Sequence, residues 1–145
     1  MSTTPEGTKL IDLGAFERLC TRLAEALAAF KSDPENLFIL DAVIKRFELS
    51  YELAVRSLRR YLLDYSASES EVDSLTFQEM IRRGDELGLL ANGWSSWKQY
   101  RDARNETAHS YKEEKAREIA VEAEIFLAEA QHLLENLKRR TTDHG

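Results

Sequence analysis

The sequence predicts an all-α protein, an up-down helical bundle of about five helices that is four-helix-bundle-like in plan. Leu, Ala, Glu and Arg are abundant, whereas only two prolines and six glycines interrupt 145 residues. Such a composition favours helix over strand. Apolar residues also recur every three or four positions, which is the period of an amphipathic helix. The length fits a single domain, residues 1–145, in which 1–11 and 141–145 are expected to be flexible tails.

The first half of the chain contains two predicted helices. The first should run from about Asp12 to Lys31, because its apolar residues form one stripe. Asp33 is expected to cap the second helix, and Pro34 to occupy its first position. This second helix should continue to about Asp64, since neither Pro nor Gly follows Pro34 and one face stays apolar throughout.

The second half is predicted to hold three further helices. The segment 66–74 is small, polar and acidic, so a loop is expected there. Thr76 and Glu79 have the spacing of a capping box, which starts a short helix that Gly88 should end. A fourth helix should begin near Trp94 and run towards the segment 104–111. A fifth is expected from about 112 to 140.

Composition restricts the possible functions. The net charge of −6 argues against a generally basic nucleic-acid binder, although a local basic cluster can still contact phosphates. Cys20 is the only cysteine, so no intrachain disulfide can form, and its apolar surroundings predict a buried thiol. No apolar run approaches membrane-spanning length, and the N-terminus lacks the pattern of a signal peptide. A cytoplasmic protein without metal or cofactor is expected.

The segment 104–111 contains the side chains most suited to chemistry. Asn105 and His109 are four residues apart, so a continuing helix would place them on one face, which Arg101 would join. Arg104 and His109 are five apart, and roughly 140° separates them around an ideal helix. Three arrangements could still unite them: the helix ends between them, the arginine side chain curls round, or two chains meet across a two-fold axis.

A cleft that holds Arg and His could cleave RNA without a metal. Histidine can accept or donate a proton near neutral pH, and arginine can hold two phosphate oxygens. Asn105 could bind phosphate or orient the imidazole, and Glu52 is expected to pair with Arg101 or Arg104. Attack by the ribose 2′-OH would restrict the reaction to RNA, so DNA is not an expected substrate. The spacing alone equally allows structural roles, with His109 capping a helix and Tyr111 half-buried.

The longer pattern Arg-Asn-x-x-x-His-x-Tyr, formed by Arg104, Asn105, His109 and Tyr111, resembles the motif of HEPN domains. The resemblance is to the branch encoded beside minimal nucleotidyltransferases. A second match lies in residues 45–54, Lys-Arg-Phe-Glu-Leu-Ser-Tyr-Glu-Leu-Ala, which look like a stretch of the proteins called nucleotidyltransferase substrate-binding subunits. The two matches, with the tryptophan-bearing run between them, cover most of residues 38–114.

This resemblance implies a homodimeric helical bundle with the motif at the dimer cleft. Many members are toxins of HEPN/MNT toxin–antitoxin pairs that cleave RNA, here tRNA or mRNA, without metal. By that likeness, His109 would transfer protons, Arg104 would hold the scissile phosphate and Asn105 would assist. The residues expected to support the site or contact RNA are Arg101, Glu52 and Ser110.

The resemblance also implies a partner and a means of control. The partner would be a cognate minimal nucleotidyltransferase that acts as antitoxin and transfers AMP to the motif tyrosine, which is Tyr111 here. The added bulk and negative charge would block the cleft and repel RNA. An alternative interpretation makes the chain a noncatalytic subunit of a two-component nucleotidyltransferase. Arg104, Asn105 and His109 would then hold a nucleotide or phosphate.

Overall fold

The computed structural model describes residues 12–65 and 68–143, and within these ranges the chain forms six α-helices and no strand. The prediction of an all-helical fold is therefore confirmed. A 3-10 turn, Thr107–His109, connects the last two helices. The helices are α1 (Gly14–Ser32), α2 (Leu37–Tyr65), α3 (Glu69–Asp73), α4 (Phe77–Glu86), α5 (Trp94–Glu106) and α6 (Glu113–Asp143).

The four longer helices form an up-down-up-down bundle. Lys138 of α6 bonds Glu17 near the start of α1, and Lys31 near the end of α1 pairs with Glu124. These contacts show that α1 and α6 run antiparallel. The short connection 33–36 folds α2 back along α1, and α5 packs against α2 and α6. With 29 residues, α2 spans about 43 Å, so it contacts every other helix of the bundle.

An aromatic cluster joins α2, α5 and α6 at the centre of the bundle. Phe126 of α6 lies 5.3–5.9 Å, between ring centroids, from Phe47, Tyr51, Trp97 and Tyr100. Several of these contacts are edge-to-face, the geometry that aromatic quadrupoles favour. Trp97 is fully buried. This cluster anchors α5 against α2 and thereby positions the segment that follows it.

The connection between α1 and α2 differs from the prediction. Asp33 ends α1, where its N–H donates to the carbonyls of Ala29 and Phe30. Pro34 lies in the following turn, and α2 begins only at Leu37. The side-chain oxygen of Asn36 accepts the N–H groups of Phe38 and Ile39 at 2.9 and 3.2 Å, so Asn36 supplies the cap. The capping-box prediction at Thr76 and Glu79 and the stop at Gly88, with φ 76°, are confirmed.

Two predicted non-helical segments contain helix. Within 66–74, the short helix α3 starts at a cap formed by Ser68, whose hydroxyl accepts the N–H of Glu71, and Val72 is fully buried. At the C-terminus, α6 continues into 141–143, and the Thr141 hydroxyl donates to the carbonyl of Leu137 at 2.7 Å. The remaining tail positions, 1–11 and 144–145, lie outside the described residues.

Cys20 lies in the core of the bundle, on α1. Cys20 is 3% exposed, and burial raises the pKa of its thiol to about 12, so the prediction of a buried thiol is confirmed. None of the helices in the described ranges combines the length and the apolar character that crossing a membrane requires.

Candidate functional site

Helix α5 presents Arg104 to two carboxylates of α2. The Nη2 atom of Arg104 donates to Oε2 of Glu52 at 2.7 Å, and Nη1 lies 3.4 Å from Oε2 of Glu48. All three side chains lie at the rim of the bundle, with exposed fractions of 28% for Arg104, 42% for Glu52 and 24% for Glu48. The expected pairing of Glu52 with a cation is confirmed, and the cation is Arg104. The Lys45 ammonium also lies 3.4 Å from Glu48, so the two carboxylates face two cations, Arg104 and Lys45.

Thr107 is a fourth member of the cluster that sequence reasoning missed. Its hydroxyl oxygen lies 2.7 Å from the backbone carbonyl of Arg104 and 3.3 Å from Oε2 of Glu48, and it accepts from Nη1 of Arg104 at 3.4 Å. The hydroxyl therefore joins the end of α5 to α2. A threonine three residues after an arginine was the available signal, since Ser and Thr commonly bond the carbonyl one turn earlier.

The helix ends between Arg104 and His109, which is the first of the three arrangements considered above. α5 stops at Glu106, and the chain then forms the 3-10 turn before α6 starts at Glu113. The amides of Ser110 and Lys112 continue that turn by donating to the carbonyls of Thr107 and His109. Asn105 and His109 therefore do not share one continuing helical face. Both are exposed, and neither has a side-chain partner among the described residues.

Arg101 does not join Asn105 and His109, contrary to the sequence-based prediction. Its guanidinium carbon lies 5.1 Å from the ring centroid of Trp94 and 5.7 Å from that of Phe77. Cation–π contact therefore holds Arg101 against α4 and the start of α5. A direct role in the cluster around Arg104 is not supported by this geometry.

The last residues of the motif face solvent. Tyr111 is 78% exposed, which excludes the half-buried structural role, and the Lys112 ammonium lies 5.8 Å from its ring centroid. Ser110 is partly buried and lines a groove of about 200 Å³ beside the Arg104 cluster. The full lining of this groove, called the α2 groove below, is Asp41, Ile44, Lys45, Glu48, Thr107 and Ser110.

A second carboxylate cluster lies deeper and was not foreseen. Glu129 of α6 is 1% exposed and accepts from the backbone N–H of Ala91, the side-chain amide of Asn92 and the hydroxyl of Tyr100, at 2.8, 2.9 and 3.2 Å. Burial, followed by the nearby Glu129 carboxylate, raises the pKa of Tyr100 above its ordinary range. This cluster fixes the loop before α5 to α6, so it positions α5.

Arg104, Glu48, Glu52 and Thr107 thus form one connected cluster. Asn105 and His109 lie on either side of Thr107 in the chain and have no side-chain partner in the part of the chain that the structure describes. Arginine can exchange a carboxylate for a phosphate, since both present paired oxygens to its fork. A free imidazole near such an arginine can transfer protons. Among the described residues, no three His, Cys, Asp or Glu side chains are grouped so that they could hold a metal ion.

Comparison with known proteins identifies the family. Residues 11–139 match the family model described as nucleotidyltransferase substrate binding protein like. The chain belongs to this family. A curated protein of Haemophilus influenzae, named probable ribonuclease HepT, is 32% identical over 102 residues, which are 70% of this chain and 69% of the relative. The family resemblance drawn from the sequence is therefore confirmed.

A solved structure matches the fold. It is a Haemophilus influenzae protein described as having the fold of a substrate binding domain of a nucleotidyltransferase. The two structures agree with a TM-score of 0.81 and 26% sequence identity, and the match covers 88% of this chain and 99% of the other. The curated relative is named a probable ribonuclease, whereas the solved structure is described by the fold of a substrate binding domain.

Proposed function

We propose that this chain is a metal-independent endoribonuclease of the HEPN type and the toxin of a toxin–antitoxin pair. The observation that carries the proposal is that the motif residues at the end of α5 differ in their contacts. Arg104 is held at the rim by exchangeable carboxylates, whereas Asn105 and His109 are exposed and have no side-chain partner within residues 12–65 and 68–143. In a homodimer, the same segment of a second chain would complete the site across a two-fold axis.

Each residue has a defined part in the proposed reaction. The scissile phosphate displaces Glu52 from Arg104, whose fork stabilises the charge that develops on phosphorus. In the homodimer, His109 of one chain accepts the proton of the 2′-OH as its oxygen attacks phosphorus, and the protonated His109 of the other chain donates a proton to the 5′-oxygen as its bond to phosphorus breaks. Asn105 offers an amide to the phosphate. The products are a 2′,3′-cyclic phosphate and a 5′-hydroxyl end.

Removal of His109 tests this function. His109→Ala should lower RNA cleavage in the presence of EDTA by at least about a hundredfold, because general acid–base catalysis is lost. The matched control is His132→Ala, which removes an exposed histidine from α6. Cleavage is measured on total cellular RNA, with mass spectrometry of the cyclic phosphate ends. Equal activity of the two variants would contradict the proposed role of His109.

Tyr111 is the proposed control point. Its exposed hydroxyl lies two residues from His109 and is accessible to a partner enzyme. In the reaction, the tyrosine oxygen attacks the α-phosphorus of ATP, loses its proton and releases pyrophosphate, leaving AMP on Tyr111. Incubation with the cognate nucleotidyltransferase and ATP should add one adenylyl mass to the wild-type chain and none to Tyr111→Phe. Equal addition to both would place the modification elsewhere.

The homodimer is tested separately. Light scattering at micromolar concentration should give the mass of two chains, because the proposed site combines the motif residues of two chains. A monomer would contradict a site shared between two chains.

A noncatalytic substrate-binding subunit is the second candidate function. The family description and the structural relative favour it. On this alternative, purified protein would bind the nucleotidyltransferase and a nucleotide, and His109→Ala would leave all RNA intact as the wild type does.

A further inference from the structure

Phe38 is an exposed aromatic side chain on the surface that leads to the site. It is 88% exposed, more than any other large apolar side chain in the described part of the chain. Phe38, Asp41 and Lys45 are spaced i, i+3 and i+7, so they lie on one face of α2. Asp41 and Lys45 follow the ring on this face, and the adjacent Leu37 is 49% exposed, so two neighbouring apolar side chains are exposed at the start of α2.

The α2 groove begins one helical turn from Phe38 and continues into the Arg104 cluster. Asp41 and Lys45 form its outer side, and Ile44, which is 6% exposed, supplies an apolar surface within it. Glu48 and Thr107 line the groove and also contact Arg104. A ligand that fills the groove would therefore lie directly beside a phosphate bound to Arg104.

The charges of the groove exclude phosphate and favour a hydrogen-bond donor. Two carboxylates, Asp41 and Glu48, face one cation, Lys45, whose ammonium lies 3.4 Å from Glu48. Asp41 has no hydrogen-bond or ion-pair partner among the described residues, so its oxygens are available as acceptors. In nucleic-acid recognition, a carboxylate accepts from the exocyclic amino group of a base, and aromatic rings stack on base faces.

We propose that the outer end of the α2 groove binds a nucleobase of the RNA, with Phe38 stacking on the base and Asp41 accepting from its exocyclic amino group. Phe38 lies roughly 15 Å along α2 from Glu48, so this base is about two nucleotides from the scissile phosphate. This inference rests on the proposed ribonuclease function. Adenine, cytosine and guanine carry such an amino group, whereas uracil does not, so the site discriminates against uracil. A second copy of the chain is the competing occupant, but the two exposed apolar side chains, Leu37 and Phe38, are far smaller than a stable dimer interface.

Binding of short homopolymeric RNAs tests the inference without requiring cleavage. Fluorescence anisotropy of labelled oligo(A), oligo(C) and oligo(U) is measured with the His109→Ala chain, which leaves the RNA intact. Oligo(A) and oligo(C) should bind about tenfold more tightly than oligo(U). Asp41→Asn should bring this ratio close to one. The control, Glu25→Gln, removes an exposed acid of α1 and should preserve the ratio.

Phe38 provides an independent test. Phe38→Ala should weaken binding of all three RNAs by about tenfold, through lost stacking, and Phe38→Trp should retain it. Val121→Ala, a matched loss of an exposed apolar side chain from α6, should leave RNA affinity unchanged.

Three outcomes would contradict the inference. Equal affinity of the His109→Ala chain, with Phe38 and Asp41 intact, for all three RNAs would overturn the base subsite and leave the ribonuclease proposal standing. Failure to bind any RNA would remove both. A Phe38→Ala chain that loses its dimer but keeps its RNA affinity would assign the ring to a second copy.

Discussion

Two carboxylate clusters lie at different depths of the same bundle. Glu129 is 1% exposed and is satisfied by three neutral donors from the loop before α5 and from Tyr100. Glu48 and Glu52 are 24% and 42% exposed at the side chain and share Arg104, and Glu48 also lies 3.4 Å from the ammonium of Lys45. The first cluster has no open position for a ligand. The second faces solvent and contains a cation whose partners can be exchanged.

This difference separates a structural role from a functional one. A buried carboxylate is retained only if its hydrogen bonds are nearly complete, because an unmet partner costs free energy in a low-dielectric interior. At the rim, water can replace a lost partner, so an ion pair contributes little stability and can be broken by a competing anion. Disruption of Glu129 should therefore affect folding, and disruption of the Arg104 cluster should affect binding and catalysis.

The largest expected effect is that of Glu129→Ala on stability. The substitution leaves the N–H of Ala91 and the hydroxyl of Tyr100 without an acceptor, so the free energy of unfolding should fall by about 3 kcal/mol. Urea unfolding followed by circular dichroism measures it. Glu135→Ala, an exposed acid of the same helix that lies 3.9 Å from Lys138, should change stability by less than about 0.5 kcal/mol. Equal losses would remove the distinction between the two clusters.

Arg104→Lys should have the opposite effect, with a large loss of RNA cleavage and a small change in stability. Lysine keeps the charge but cannot hold two phosphate oxygens in a fork, so RNA cleavage should fall by about a hundredfold. The free energy of unfolding should change by less than about 1 kcal/mol, because the cluster is partly exposed. Arg82→Lys, at an exposed and unpaired arginine of α4, is the control and should retain full activity. A large loss of stability with intact cleavage would make Arg104 a structural residue.

Glu52→Gln should produce a smaller change in the opposite direction. The substitution keeps the shape of the side chain but removes one negative charge at 2.7 Å from Arg104, so RNA affinity should rise by about threefold. Glu86→Gln, which removes an exposed charge from α4, should leave affinity within error. Affinity is measured by anisotropy in the His109→Ala chain. Weaker binding would instead show that Glu52 holds Arg104 in its binding geometry.

Sequence patterns predicted the fold where local signals and packing agree. Apolar periodicity identified the long helices, and the capping box at Thr76 and the glycine at 88 placed the boundaries of α4. The predicted start of α2 at Asp33-Pro34 was wrong, because Asn36 is also a good capping residue. Local sequence does not decide which of Asp33 and Asn36 caps α2, since the choice depends on how the connection packs between α1 and α2. The pattern also missed α3, whose five residues are stabilised by burial of Val72 as much as by local propensity.

Resemblance to the family identified the residues of the site, but the sequence did not predict how these residues are arranged. The family pattern selected Arg104, Asn105, His109 and Tyr111, and the residues of the long helix had separately suggested that Glu52 pairs with Arg101 or Arg104. Sequence spacing could not show that α5 ends at Glu106, since that depends on how Thr107 bonds to α2. Nor could it show that Arg101 is held by Trp94 and Phe77, because those rings lie at and before the start of α5 and meet Arg101 only after the bundle has packed.

The smallest expected effect is a loss of stability at alkaline pH, which depends on the ionisation of buried tyrosines and of Cys20. Burial raises the pKa of Tyr51, near Arg104, from its ordinary 10.0 to about 12, and it also raises the pKa of Tyr100, beside Glu129. Burial likewise raises the pKa of Cys20 from 9.0 to about 12. In each case the folded state retains a proton that the unfolded state releases. The stability that depends on these groups is therefore complete below the ordinary values and is lost as pH rises towards about 12.

The thermal unfolding midpoint should accordingly be flat with respect to these groups up to pH 9.0 and then decline. Tyr51→Phe and Tyr100→Phe each remove one titrating hydroxyl, so each should make the decline shallower. Tyr100→Phe should also lower stability at neutral pH, since Glu129 loses a donor, whereas Tyr51→Phe removes a hydroxyl near a cluster that water can reach. If both substitutions gave the same loss at neutral pH, depth of burial would not be what distinguishes the two carboxylate clusters.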